Sequence, residues 1–235
     1  CGKRTRIRPG LIRPRSVRHA RGMVRSCPVM TPITWLDVAR RIQAISQTGL
    51  AFAENPYDVG RYRELGEIAA SMMAGPDPGR VALAAGVFAA ERGYATPKVD
   101  VRAAVLQDGG LLFVRERSDG CWTLPGGWAD VGQSAAECVE REVREESGYI
   151  VRATRLLACW DRDKHPHTPY PFSVYKLVFQ CELVGGAPAA SDETSEVGFF
   201  PEDRIPELSL TRIVPAQIRY VFEALRNPDQ PAAFD

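Results

Sequence analysis

The sequence predicts an α/β protein, a sheet-and-helix sandwich preceded by a small all-helical region. Three observations carry that prediction. Apolar residues recur at helical spacing between residues 33 and 93, and the pattern changes to strand-like runs from Lys98. Those runs enclose one sharply capped helix and are followed by a second, the element order of a layered α/β domain. At 235 residues, 45% hydrophobic and 25% charged, the chain can bury one good core and a small second one.

The expected organisation is a basic extension over residues 1–29, a helical domain over 30–95 and an α/β domain over 98–235. Residues 1–29 hold nine Lys or Arg and no acid, leaving 21 bases against 29 acids elsewhere, a balance of −8. Such an arm could bind nucleic acid or act as a targeting sequence. The expectation is a disordered or non-native extension, because Met30-Thr31-Pro32 reads as a natural start and the arm has no apolar run of a secretory signal.

Trp35, Val38, Ala39, Ile42 and Ile45 form one helical stripe, Tyr62, Leu65, Ile68, Ala69 and Met72 a second, and an Ala-rich helix is expected over Arg80 to Glu91. Asn55-Pro56 and the run from Gly75 to Gly79 separate them. With no catalytic constellation among them, the stripes read as core or subunit interface. After Ala95-Thr96-Pro97, strands are expected at Val99–Leu106 and Leu111–Val114, joined by a hairpin at Asp108-Gly109-Gly110. Further strands are expected near Val151–Trp160, Phe172–Leu183 and Val197–Phe200, with a Gly185-Gly186 turn and a last helix near Arg212–Arg226.

The six cysteines are scattered without a CxxC pair, which excludes a recognisable zinc ribbon or disulfide framework and suits a reducing cytoplasmic setting. No apolar run approaches the ~20 residues of a membrane helix.

The capped helix carries the chemistry. Ser134 and Glu137 have the spacing of a capping box, Gly148 stands where a left-handed C-cap belongs, and Val139 and Val143 supply an apolar stripe. Glu142, Glu145 and Glu146 crowd onto one flank. Like charges at that spacing repel by a few tenths of a kcal/mol per pair, so local stability would not choose them, whereas a hard divalent cation would. A solvated charge run is the ordinary alternative.

From Gly127 to Tyr149 the segment resembles the Nudix box: Gly127 opens it, and Arg141, Glu142, Val143, Glu145, Glu146 and Gly148 match. Gln133 stands in place of the first Glu and Tyr149 in place of the final aliphatic residue. The resemblance covers about residues 98–226 and implies an α/β/α sandwich with a mixed sheet. It further implies Mg²⁺ or Mn²⁺ held by Glu142 and Glu146, with Glu145 and the Gly127 carbonyl completing the site and Arg141 orienting the acids. The helical region, the run Gly127–Gly132 and the run Asp161–His165 resemble a branch acting on CDP-choline and ADP-ribose, whose helices are associated with homodimers and whose box commonly lacks the first Glu.

The implied activity is hydrolysis of a diphosphate joining a nucleoside to another group, giving a nucleoside monophosphate and a phosphorylated partner. Removal of pyrophosphate from nucleoside triphosphates or RNA ends is a second possibility, and a ligand-sensing module without catalysis a third. The box does not fix the general base, for which Glu193 and Glu196 are candidates, although either could be solvated. Lys164, His165 and Tyr170 are expected to address the substrate, unless their segment is an ordinary polar loop.

Overall fold

The computed structural model describes residues 34–235. The basic arm and Met30-Thr31-Pro32 lie outside them. Among the described residues are five α-helices and seven strands, and no helix is long and apolar enough to cross a membrane.

Three helices open the described chain: α1 (Trp35–Phe52), α2 (Pro56–Ala74) and α3 (Pro78–Ala90). Each starts where its sequence supplies a cap. Thr34 and Asp37 close a reciprocal capping box, while Asn55 and Asp77 cap helices whose first residue is proline. Their shared core is small, built on Ala69, Ala70 and Phe88. Of the first predicted stripe only Ala39 is fully buried, while Trp35 and Ile45 are exposed, as are Phe52, Tyr57 and Leu83.

The sheet comprises β1 (Lys98–Gln107), β2 (Gly110–Glu116), β3 (Trp122–Thr123), β4 (Tyr149–Asp161), β5 (Val174–Gly186), β6 (Thr194–Pro201) and β7 (Ala233–Phe234). Its order is β3-β2-β1-β5-β4-β7, with β6 pairing on β2. Pairing β1–β5 is parallel and β4–β5 antiparallel, so the sheet is mixed. The predicted hairpin is present as a two-residue turn, Asp108 and Gly109, both at positive φ.

Alternation along the strands places a helix on each face. Val101, Ala103 and Val105 of β1 and Leu112 of β2 pack with Cys138, Val139 and Val143 of α4 (Ala135–Ser147). Ala104, Leu111 and Phe113 pack with Ile218, Val221 and Phe222 of α5 (Pro215–Arg226) on the other side. Strand β1 is therefore buried on both faces over Asp100–Val105, as a central strand with a parallel neighbour is, and one face carries Asp100 and Arg102.

Several boundaries differ from expectation. Strand β5 runs through the expected Gly185-Gly186 turn, since both glycines still pair with Ile150 and Tyr149. Strand β6 begins at Thr194, so Glu196 lies within it rather than ahead of it. The last helix starts at Pro215, three residues later than expected, because proline at the first helical position fixes its N-terminus.

Strands β1 and β2 pair only beside their turn, at Leu106↔Leu111 and Gln107↔Gly110. Toward the other end of β1 its free edge is taken by the segment between β3 and α4: Val101 donates to Gly127 O at 2.8 Å, Ala103 to Pro125 O at 2.9 Å, and Ala129 donates to Val99 O at 2.9 Å. This pairing places the glycine turn beside α4.

Candidate active site

Gly126 lies where no other residue fits, and Gly127 where a side chain would press on Glu142. Gly126 has φ +138°, and a Cβ there would lie 2.0 Å from Val101 O. A Cβ on Gly127 would come within 3.0 Å of the Glu142 carboxylate. Gly126 N–H donates to Glu146 Oε2 at 2.7 Å. The turn thus rests against two acids four residues apart on one flank of α4. Glu146 is buried, and burial pushes its carboxyl up to about 8, opposed by Arg102 and the Gly126 N–H and reinforced by Glu116 and Glu142. Burial likewise raises Glu142, against the pull of Arg141.

Arg141 is the hub of the outer rim. Its guanidinium meets Asp130 at 2.8 Å, Glu142 at 3.0 Å and Glu145 at 2.7 Å. Its Nε donates to Gln133 Oε1 at 3.1 Å. The amide oxygen of Gln133 accepts the same kind of bond that a carboxylate would, which gives a physical account of the Gln in the place of the usual Glu.

The Gly127 carbonyl, expected as a backbone ligand, accepts the Val101 N–H, because the turn doubles as a sheet edge, and keeps a second lone pair; Gly127 also offers Glu142 the absence of a side chain. Glu145 is half-exposed and turned to Arg141, so the acids brought together around the glycines are Glu142 and Glu146. Among the described residues no three His, Cys, Asp or Glu side chains converge as a preformed metal cage. The donors fit a hard divalent cation in chemistry, being carboxylate oxygens with a deeply buried member whose ionised form needs a positive partner.

The two candidate bases have different surroundings. Glu196 is ion-paired with Arg115 at 2.6 Å and half-exposed. Glu193 lies in the turn before β6, where Ser191 Oγ accepts its N–H at 3.2 Å, and it is close enough to Glu116 to raise that acid. Glu116, at the end of β2, is buried and held by Arg212 at 2.9 Å.

Beside the glycine turn opens a cavity of about 370 Å³ lined by Asp100, Arg102, Gly127, Trp128, Arg162, Tyr170, Val174, Lys176, Thr211 and Arg212. Its floor is a buried ionic group. Arg102 donates through Nη2 to Asp100 Oδ1 at 2.8 Å and through Nη1 to Leu124 O at 3.0 Å, and Lys176 donates to the other Asp100 oxygen. Burial alone would raise the Asp100 carboxyl, but Arg102 and Lys176 outweigh it and hold it below its ordinary range. Burial pushes Lys176 down to about 8 against the pull of Asp100. The walls are aromatic and basic: Trp128 and Tyr170 lie 6.3 Å apart, centre to centre, and Arg162 sits 5.2 Å from the Tyr170 ring centre. One acid against four bases gives the cavity a positive balance.

Of the three residues expected to address the substrate, Tyr170 alone lines this cavity. His165 packs on Trp160 and meets Asp235 at 3.2 Å, and Lys164 just before it is exposed. Sequence reasoning missed Asp100, Arg102, Glu116, Trp128, Arg162, Lys176 and Arg212. A charge inside an apolar strand run, as at Asp100, Arg102 and Lys176, is the signal that could have found three of them.

Two family models match the chain. Residues 34–77 match one described as a UDP-X-like, N-terminal oligomerisation domain, and residues 96–223 match the NUDIX domain. A protein of Bacillus subtilis (strain 168), YjhB, named as a candidate ADP-ribose pyrophosphatase, is 44% identical over 201 residues, 86% of this chain and 97% of its own length. An ADP-ribose pyrophosphatase of Methanocaldococcus jannaschii is 32% identical over 122 residues, 49% of this chain and 69% of its own. Among solved structures, a UDP-X diphosphatase is similar with a TM-score of 0.56 and 31% identity, covering 86% of this chain and 98% of that one. An ADP-ribose pyrophosphatase from Streptococcus suis has a TM-score of 0.55 and 41% identity, covering 60% of this chain and 100% of that one.

Proposed function

The chain belongs to the Nudix family of hydrolases, and on that premise we propose that it cleaves the diphosphate of a nucleoside diphosphate linked to another moiety, of the ADP-ribose or CDP-choline type. One observation carries this reading: the glycine turn borders the buried acids of α4 on one side and the basic, aromatic cavity on the other, through the same residue, Gly127. A diphosphate lying across the turn would have its bridging oxygen near Glu142 and Glu146 and one of its two halves in the cavity. The names of the similar proteins support the same substrate class.

Glu142 and Glu146 would hold Mg²⁺ or Mn²⁺, with Glu145 able to join by leaving Arg141. The ion, when bound, supplies polarisation of the diphosphate and a lowered pKa for the attacking water. Arg141 favours the ionised form of Glu142 against the effect of burial and aims it. Arg162 and Arg212 offer planar donors to phosphate oxygens, and Trp128 and Tyr170 offer ring faces to a base or a ribose. The proton of the attacking water passes to a carboxylate, and Glu193 suits that role better than Glu196, whose carboxylate is already committed to Arg115. We further infer a homodimer through the helical region, which leaves Trp35, Phe52, Tyr57 and Leu83 exposed and matches an oligomerisation domain.

The test is a substrate screen. Purified protein is incubated with ADP-ribose, CDP-choline, UDP-sugars and nucleoside triphosphates, with Mg²⁺ or Mn²⁺, and products are separated by chromatography. Release of a nucleoside monophosphate and a phosphorylated partner is the expected result. Release of pyrophosphate from triphosphates alone would replace this reading, and binding without turnover of any of them would favour a sensor.

A further inference from the structure

The helical region meets the loop of the cavity wall at two places: Phe88 packs on Phe172, which packs on Tyr170, and Arg40 bonds the loop directly. Arg40 lies on the α1 face that also buries Ala39, Gln43 and Ser46, and it is 8% exposed. Its Nε donates to the main-chain carbonyl of Tyr170 at 2.9 Å, its Nη2 donates to the same oxygen, and its Nη1 meets the Asp163 carboxylate at 2.8 Å. Asp37, one turn back on α1, lies 3.7 Å away. A guanidinium can bind both acceptors at once because its donors are fixed in one plane, which an ammonium cannot reproduce.

Those two acceptors sit near the two ends of one loop, residues 162–170. Between them the loop is pinned again: Arg162 donates to Thr168 O at 2.5 Å and to Thr211 O at 3.3 Å, and stacks on the Tyr170 ring. Arg162 and Tyr170 line the cavity, whereas Arg40 does not. An exposed ion pair would contribute little, but Arg40 is buried, the side chain of its Asp163 partner is 22% exposed, and its other bonds go to backbone, so removing Arg40 leaves the Tyr170 carbonyl without its side-chain donor and Asp163 with only Arg162 at 3.9 Å.

We propose that Arg40 is a positioning residue, which fixes the cavity wall made by Arg162 and Tyr170 from outside the α/β layers. Selection of the substrate's distal half then depends on a contact between the helical region and the loop. This rests on the reading of the cavity as the substrate site.

The experiment uses the full chain with Arg40→Lys, Arg40→Met and Asp163→Asn. Hydrogen exchange at the amides of residues 163–170 and of α4 is measured beside kcat and KM for ADP-ribose and CDP-choline. In the Arg40 variants the loop amides should exchange at least about tenfold faster while α4 is unchanged. KM should rise by about tenfold with kcat within about twofold, since a displaced wall weakens binding more than chemistry. Arg40→Lys should restore no more than part of the loss. Asp163→Asn, which loosens one anchor, should show the same pattern at smaller amplitude, and it decides the matter if neither Arg40 variant folds. Unchanged exchange in the loop overturns the proposal, as does faster exchange with KM unaltered in an active protein. If the parent hydrolyses none of these nucleotides, the functional reading has failed, and the exchange comparison still tells whether Arg40 holds the loop.

Discussion

Replacing Glu146 by Gln should move stability and turnover in opposite directions. The side chain is 5% exposed, accepts one backbone N–H and has Glu116 and Glu142 as like-charged neighbours. Burial pushes its pKa from 4.5 up to about 8. In metal-free protein the folded form therefore binds, between those values, a proton that the unfolded chain has released. Stability from this group is fully present below pH 4.5 and is lost as pH rises through 8. At pH 7 the loss spans about 2.5 pH units at ~1.36 kcal/mol each, an upper bound that relaxation of the site reduces to roughly 1–3 kcal/mol. Gln keeps the volume and an acceptor for Gly126 but cannot ionise. Melting temperature with a chelator at pH 7 should rise by roughly 3–9 °C for a domain of this size, and the gain should vanish near pH 4. Turnover with Mg²⁺ should fall at least about 100-fold. Retained turnover would refute Glu146 as a metal ligand, and a lower melting temperature would refute the argument from burial.

Burial also pushes His167 down to about 4 from 6.5. Its share of stability is present above pH 6.5 and lost as pH falls through 4, so His167→Asn should flatten the acid limb of a urea-midpoint profile by roughly 1–2 kcal/mol between pH 7 and pH 4. Tyr170→Ala should raise KM for the preferred nucleotide, whereas His165→Ala, which faces Asp235, should leave KM within about twofold; equal effects would show that the cavity is not the recognition site. Gly126→Ala forces a Cβ against Val101 O and should cost about 3 kcal/mol or more in chemical unfolding, and a neutral result would contradict the turn geometry. A protein starting at Met30 should keep its turnover and melting behaviour, and loss of salt-dependent RNA binding on truncation would instead give the basic arm a role.

What could be read from the chain was what is local. Helix α4 announces itself through Ser134, Glu137 and Gly148, and all three cap it in the structure. The hairpin at Asp108-Gly109 is equally local. The parallel pairing of β1 with β5 was not legible, because it joins residues such as Val101 and Leu177 with no short-range signal of partner or register. Nor was the cavity, whose lining comes from strands β1 and β5 and from loops far apart in the chain. The bond from the Val101 N–H to the Gly127 carbonyl was not legible, because nothing in the motif says that the glycine turn also fills the edge of β1. The first helical stripe is only partly covered in one chain: Ala39 is buried, Val38 and Ile42 partly so, and Trp35 and Ile45 stay exposed.

The acid-bearing part of the molecule is stitched over short distances along the chain: Glu146 to Gly126 spans 20 residues, Arg141 to Asp130 11, and Arg141 to Gln133 8. Beyond Gly127 and Trp128, which belong to the glycine turn, the cavity walls come from residues 100–102, 162–176 and 211–212, held by bonds such as Lys176 to Asp100 across 76 residues. Short loops close at low entropic cost, so the acids and their turn can form as a unit and be inherited as one. The walls can then be exchanged a segment at a time. A descendant chain could acquire a new leaving group through a few substitutions in one loop while its hydrolytic chemistry stayed untouched.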